Sequence, residues 1–148
     1  MSQKTEVWQR LREVVMVRFT SKSHTGIGWS GSGSGMVKVS EPTSHVLIFN
    51  ESGLWRQEAG KEIPFINVFR WTLLEEYLRL EHLRFGNSNP VFLFDMAVDK
   101  DGFWREIDPH PCREDCYHAS LRLEPHNITM NWLVRGPSRN ELIDYIYI

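Results

Sequence analysis

The chain has few cysteines, no long apolar run and no excess of charge of either sign. Its 148 residues include two cysteines, Cys112 and Cys116, which fit a reduced cytoplasmic protein better than a disulfide-built scaffold. The charged N-terminal segment MSQKTEVWQRLREVV lacks the apolar run of a signal peptide. No stretch approaches the roughly 18 apolar residues that span a bilayer. We therefore expect a cytoplasmic protein with no membrane partner.

The balance of charge bears on the choice of partner. The 17 Lys and Arg residues are scattered among 19 Asp and Glu residues, and the formal net charge is −2. Without a basic patch there is no electrostatic attraction for nucleic acid, so we predict no nucleic-acid binding. A chain of this length is most naturally one domain, residues 1–148, which buries roughly 68–70% of its unfolded surface.

What the chain does contain is a succession of strand-like segments rich in β-branched and aromatic residues, with Gly, Pro, Asn, Asp or Ser in most of the gaps. The clearest are residues 35–40, 44–50, 65–75, 77–85, 90–99, 103–107, 116–124, 128–135 and 141–148. The gaps are too short for crossover helices, so consecutive strands should pair antiparallel. Such a sheet tends to curl and close. We predict an all-β fold, a closed antiparallel up-and-down barrel of about nine to ten strands.

A short helix is expected before the first strand. Val7, Trp8 and Leu11 recur at helical spacing, and Thr5 could cap the first turn of a helix within residues 5–15. Such a helix could cover one end of the barrel.

Gly31, Gly33 and Gly35 alternate after Trp29, and the pattern allows two interpretations. One is a flexible Gly/Ser loop. The other is a strand with one bare face, which permits tight curvature or close approach of a second backbone. No Gly-Lys-Ser/Thr follows, so the segment does not predict a phosphate site.

Barrel size suggests a function, because eight strands are nearly filled by side chains whereas ten leave room for a guest. We predict that the barrel binds a small, mostly apolar ligand bearing one polar or anionic group. Arg70, His118 and Arg122 are candidates for the polar contacts, and Tyr117 and Trp132 for the walls. The alternation of side chains between the two faces of a strand leaves open whether His118 and Arg122 face the interior or solvent.

The same alternation in residues 92–98 predicts that Phe92 lies on one face together with Phe94, Met96 and Val98.

The densest group of reactive side chains lies in residues 108–118. His110, Cys112, Cys116 and His118 place four potential zinc ligands within nine residues. The spacing differs from that of known structural sites, which pair one Cys-x2-4-Cys with a distant second pair. Zinc is therefore an alternative, and we expect no metal.

The same segment offers a catalytic alternative. A cysteine nucleophile needs a base within hydrogen-bond reach, and His110, Cys112, Asp115 and Tyr117 could supply such a group at the barrel mouth. No surrounding pattern matches a cysteine hydrolase. The preferred interpretation is a structural loop, so whether the protein is an enzyme stays open and no catalytic residue is assigned.

Two linked motifs in the C-terminal third resemble a known pattern. They are His110-x-Cys112-x-x-Asp115-x-Tyr117 and Trp132-x-Val134-x-Gly136-Pro137. Together they resemble the signature of an uncharacterised calycin-like family, and residues 49–53 resemble its aromatic-x-Glu-x-Gly turn. Calycins are barrels related to lipocalins and fatty-acid-binding proteins, so the resemblance implies a barrel and a ligand but no activity.

A second, shorter resemblance concerns the glycine motif after Trp29, which is similar to the N-terminal signature of nitrobindins. These are haem-binding barrels of ten strands in which a histidine near the end of the barrel ligates iron. The resemblance implies haem as an alternative cofactor, with His118, His126 or His82 as the ligand. A further alternative is an interaction role, in which an exposed edge or aromatic patch meets a partner or a second copy.

Overall fold

In a computed structural model the chain forms one helix and ten strands, described for residues 2–24, 30–58, 60–107, 116–137 and 140–148. The elements are α1 (Gln3–Arg12), β1 (Met16–Ser23), β2 (Gly31–Thr43), β3 (Val46–Gln57), β4 (Glu62–Leu73), β5 (Leu78–His82), β6 (Val91–Val98), β7 (Trp104–Glu106), β8 (Cys116–Leu123), β9 (Ile128–Arg135) and β10 (Asn140–Tyr147). Each strand pairs antiparallel with its sequence neighbour, and β10 pairs with β1 to close the barrel. The predicted closed up-and-down barrel is confirmed.

Helix α1 closes one end of the barrel. Val7 and Leu11 are fully buried, and the Trp8 indole donates to the Ser44 carbonyl in the β2–β3 turn at 3.2 Å. The predicted Thr5 cap is wrong, because the Ser2 hydroxyl accepts from the Thr5 backbone N–H and starts the helix earlier. In the described part of the chain, no helix has the length and apolar content needed to cross a membrane.

The alternating glycines lie in a strand, so the strand interpretation is confirmed. Gly33 and Gly35 pair with Phe19 and Val17 of β1 and face the interior. A β-carbon at Gly35 would lie 2.1 Å from the carbonyl oxygen of Ser52 on β3. Only glycine allows the two strands to approach this closely.

Strand β3 runs further than the sequence suggested. The strand was expected to end at residue 50 with a turn over residues 49–53, and the turn is wrong because β3 continues to Gln57. Glu51 therefore lies mid-strand, opposite Asn67 of β4. Strand β4 begins at Glu62, three residues before the expected start at residue 65, so the connection between β3 and β4 is short.

A bulge in β6 overturns one predicted face. Leu80 pairs with Phe94 and Glu81 with Phe92, so Leu93 is an extra residue in the ladder. Leu93 is buried, whereas Phe92 is exposed. The expectation that Phe92 shares the interior face with Phe94 is wrong, because the extra residue resets the alternation.

The interior is densely filled toward the end covered by α1. The side chains there come from several strands and are fully buried: Leu47, Trp71, Leu78, Met96, Leu121, Ile128 and Met130. Toward the opposite end, which we call the open end because no described helix covers it, the glycines of β2 contribute no side chains to the interior. The cavities inside the barrel lie toward this end.

Candidate functional site

Among the residues that the structure describes, two cavities are lined by interior side chains toward the open end. The larger cavity has a volume of about 460 Å³. Its lining is mostly apolar and comes from β1, β3, β4 and β10: Phe19, Ser21, Trp55, Ile63, Pro64, Phe65, Asn67, Glu141, Ile143 and Tyr145. The glycines of β2 make room for the Phe19 ring, since a β-carbon at Gly33 would lie 2.3 Å from it.

The smaller cavity has a volume of about 170 Å³ and a more polar lining. It is formed by Asn67, Phe69, His82, Arg84, Leu93, Trp132, Val134, Ile143 and Tyr145. Asn67, Ile143 and Tyr145 line both cavities, so the two are neighbours. A single elongated molecule could therefore occupy both.

Aromatic rings connect the cavities to the barrel core. The ring of Trp132 lies 5.1 Å from that of Tyr145 and makes edge-on contacts with Phe69 at 5.8 Å and Phe94 at 5.5 Å. Such packing fixes the orientation of the indole. The indole N–H of Trp132 is buried and has no hydrogen-bond partner. Buried donors are normally paired, so this group calls for an acceptor that a ligand or water could supply.

Two basic side chains border the smaller cavity. The His82 ring packs on Phe69 at 4.9 Å and is half-buried, and Arg84 lies beside it. Burial, and then the nearby Arg84 cation, lower the pKa of His82, so its imidazole is neutral near pH 7. A neutral imidazole offers one donor and one acceptor, while Arg84 supplies positive charge. This side of the site is suited to an anionic or hydrogen-bond-accepting group.

A buried carboxyl group lies deeper in the interior. Glu51 is fully buried, and its Oε2 accepts a hydrogen bond of 2.7 Å from the Tyr147 hydroxyl, while its Oε1 has no partner. Burial raises the pKa of Glu51 to about 7, against the lowering effect of the Tyr147 hydrogen bond. Burial and then the Glu51 charge raise the pKa values of Tyr145 and Tyr147, so both phenols stay neutral. Glu51 lies opposite Asn67, which lines both cavities.

Three of the five predicted ligand residues lie on the outer face of the barrel. Arg70 pairs with Glu81 at 3.0 Å, and His118 contacts Glu106 at 2.6 Å. Arg122 pairs with Glu124 and stacks over Phe103. None of the three lines either open-end cavity, and their predicted contact with a ligand stays a prediction.

Trp132 is the predicted wall residue that the structure brings to a cavity. Tyr117 belongs to β8, and its side chain is outside the described part of the structure. Sequence reasoning did not select Asn67 or Glu51, and it named His82 only as an alternative haem ligand. Side chains alternate between the two faces of β3, and one face carries Leu47, Phe49, Glu51 and Trp55. This alternation is the sequence signal from which Glu51 could have been identified.

The proposed catalytic and zinc cluster falls mostly outside the described residues. His110, Cys112 and Asp115 lie in the segment 108–115, which the structure does not describe. Cys116 is disulfide-bonded, in contrast to the reduced thiol expected. Among the described residues, no group of three or more His, Cys, Asp or Glu side chains is placed to hold a metal ion.

The remaining family-signature and haem candidates have definite positions. Gly136 and Pro137 follow β9 at the open end. His126 is exposed in the β8–β9 turn, at the end closed by α1, and His118 points outward. Of the three histidines considered for haem, His82 lines a cavity, so a haem alternative would rest on that residue.

Comparison with known proteins gives a family but no function. The chain belongs to the family of unknown function DUF6314, whose model matches residues 6–148. No curated protein and no solved structure matches the chain.

Proposed function

We propose that the protein binds a small, largely apolar molecule that carries an anionic or hydrogen-bond-accepting group, held in the two open-end cavities. The observation that carries the proposal is the buried, unpartnered indole N–H of Trp132, a residue that lines the smaller cavity. Leaving such a donor unpaired costs about 1–3 kcal/mol, so an acceptor on the ligand would recover that energy.

The apolar body of the ligand fits the larger cavity. Aromatic and aliphatic side chains there offer a ring or a short aliphatic chain extensive contact, notably Phe19, Trp55, Ile63 and Phe65. Burial of apolar surface contributes roughly 25 cal/mol per Å², so most of the affinity would come from this part. A volume of about 460 Å³ lies within the usual range for small-molecule sites.

The polar end of the ligand fits the smaller cavity. Trp132 would donate to it, Arg84 supplies positive charge, and His82 and Asn67 offer further hydrogen bonds. The Arg84 cation and the buried N–H donor of Trp132 lie on the same side of the site. Together they favour a carboxylate over a neutral group of equal shape. An amine would meet the Arg84 cation and gain nothing from Trp132.

Titration with two probes of matched shape tests the proposal. We expect 2-naphthoate to bind in a 1:1 complex, and more tightly than 2-naphthamide. Trp132→Phe keeps the ring but removes the N–H, and it should weaken 2-naphthoate binding roughly tenfold, the value of one hydrogen bond to a charged acceptor. Calorimetry of the wild type and variant measures the ratio.

The matched control is Trp104→Phe. Trp104 is also buried but lines neither cavity, so its variant should bind both probes as the wild type does. Equal affinity of the Trp132 and Trp104 variants, or no binding of either probe to the wild type, would overturn the proposal.

A further inference from the structure

Glu51 is a buried acid that lies next to the two cavities without lining either of them. Its Oε2 accepts the Tyr147 hydroxyl at 2.7 Å, and its Oε1 has no partner. In the part of the chain that the structure describes, no Lys, Arg or His side chain forms an ion pair with it. An ionised Glu51 therefore places a negative charge inside the barrel with no cation beside it.

Strand register brings this acid to the inner boundary of both cavities. Glu51 pairs with Asn67 of β4, which lines the two cavities. Side chains of such pairs start from β-carbons about 4.5–5.5 Å apart. The Tyr147 ring, which holds Oε2, stacks on the Tyr145 ring at a centroid distance of 5.8 Å, and Tyr145 also lines both cavities. One layer of side chains therefore separates Glu51 from the space that a ligand would occupy.

The elements around Glu51 do not neutralise its charge. Strands β1, β2 and β4 place apolar or amide side chains in this part of the interior: Val17, Val37 and Asn67. Strand β10 contributes two titratable groups, the phenols of Tyr145 and Tyr147. Burial and then the Glu51 charge raise the pKa values of both phenols, so they stay neutral. The effect on Tyr145 indicates that the field of Glu51 reaches the cavity wall.

The cavities themselves carry three further titratable or charged groups. His82 and Arg84 line the smaller cavity, and Glu141 lines the larger one. Arg84 attracts an anion equally at every pH near neutrality, because a guanidinium does not lose its proton there. It therefore adds affinity for an anion without making that affinity depend on pH.

A ligand anion in the smaller cavity and an ionised Glu51 repel each other. The rings of Tyr147, Tyr145 and Trp132 follow one another at spacings of 5.8 and 5.1 Å. Two charges about 10 Å apart, at an effective dielectric constant of about 20, change each other's binding by roughly tenfold. Protonation of Glu51 removes this repulsion, and the unpartnered Oε1 can carry the proton while Oε2 still accepts from Tyr147.

From this arrangement we propose that the barrel takes up its anionic ligand together with a proton, which is held on Oε1 of Glu51. The inference rests on the proposed function, since it concerns the same cavities and the same ligand. The proton comes from solvent, the Glu51 carboxylate becomes a carboxyl group and the ligand stays an anion, so the interior gains no net charge. Burial raises the pKa of Glu51 to about 7, which makes this exchange available near neutral pH.

The affinity for 2-naphthoate at two pH values tests the coupling. This probe stays ionised, and its dissociation constant for the wild type should rise about fivefold between about pH 6.5 and about pH 8.5. Glu51→Gln keeps an acceptor for Tyr147 and removes the charge. At both pH values it should bind 2-naphthoate as tightly as the wild type does at the lower one. The neutral 2-naphthamide should bind the wild type equally at both.

The matched control is His82→Gln, because His82 is the other cavity group with a pKa near this range. Burial, and then the Arg84 cation, lower the pKa of His82, so the imidazole is already neutral over most of the range. This variant should keep the fivefold ratio whatever its affinity. A ratio lost in His82→Gln and retained in Glu51→Gln would overturn the inference.

Proton uptake by the wild type gives a second measurement that needs no variant. Calorimetric titration with 2-naphthoate in two buffers of different ionisation enthalpy should show uptake of about half a proton at about pH 7.5. Binding that is equally tight at both pH values, with no proton uptake, overturns this inference and leaves the proposed function standing. If 2-naphthoate binds at neither pH, the proposed function and this inference are both wrong.

Discussion

At the scale of single residues, Glu51 is a buried carboxyl group whose charge state affects the barrel interior. Its side chain is fully buried among aromatic rings. The Tyr147 hydroxyl donates a hydrogen bond to Oε2 of Glu51, and Oε1 has no partner. Burial holds the pKa at about 7 in the folded protein, compared with 4.5 for a free carboxyl group. Near neutral pH the folded state therefore retains a proton that the unfolded chain has released.

This difference makes the stability of the fold depend on pH. Because the folded pKa is the higher one, the contribution of Glu51 is fully present below about pH 4.5 and is lost as pH rises through about 7. The difference between the folded and unfolded pKa values corresponds to a loss of about 3 kcal/mol. Glu51→Gln keeps an acceptor for Tyr147 and removes the titration, so it should gain stability relative to the wild type as pH rises.

Urea unfolding at about pH 5 and about pH 8 measures the effect. The difference in unfolding free energy between the variant and the wild type removes the contribution of the other titrating groups, because both proteins share them. A difference that is the same at both pH values would contradict this account of Glu51.

At the scale of elements, the close contact of β2 with β3 depends on glycine. Gly35 and Gly53 lie opposite each other, and a β-carbon at either would come within 2.1 Å of a backbone oxygen of the facing strand. The contact is with backbone, so it cannot be relieved by rotating a side chain. The two strands would have to separate.

Gly35→Ala is therefore expected to destabilise the fold. The cost of forcing the strands apart should be at least 1–3 kcal/mol, which lowers the melting temperature by roughly 3–10 °C in a chain of this length. Ser34→Ala is the matched control, since Ser34 is the preceding residue and points outward. Thermal melts in which the two variants match would show that the close approach is not required.

The limits of prediction from sequence also follow from particular elements. Runs of alternating apolar residues in β9 and β10 are enough to predict strands and to place Trp132 inside. In β3 the alternation continues, but Glu51 and Gly53 have low strand propensity, so the sequence predicts that the strand ends at residue 50. The bulge at Leu93 leaves no local signal, because it is set by pairing with β5.

The candidate site was only partly predictable for a similar reason. Alternation separates the two faces of a strand but does not say which one is inside when both carry large side chains. For Arg70, His118 and Arg122 the answer depends on acidic partners on adjacent strands or turns, which draw these side chains outward. Asn67 and His82 become site residues through the register of β4 and β5 alone.

At the scale of the whole molecule, in the part of the chain that the structure describes, a helix closes one end of the barrel and cavities lie toward the other. Helix α1 and a filled interior block access beneath the β2–β3 and β8–β9 turns. The cavities, the unpartnered Trp132 N–H and the basic pair His82 and Arg84 all lie toward the open end. These features support the proposed ligand site inside the barrel at that end.

The most direct test is the indole N–H region of a ¹H–¹⁵N spectrum, recorded while 2-naphthoate is added. The Trp132 resonance, assigned by Trp132→Phe, should move downfield as its N–H gains an acceptor. The Trp8 indole, already bonded to Ser44, serves as the reference and should not move. A Trp132 resonance that stays in place at saturating 2-naphthoate, while signals from outer-wall residues shift, would contradict the account.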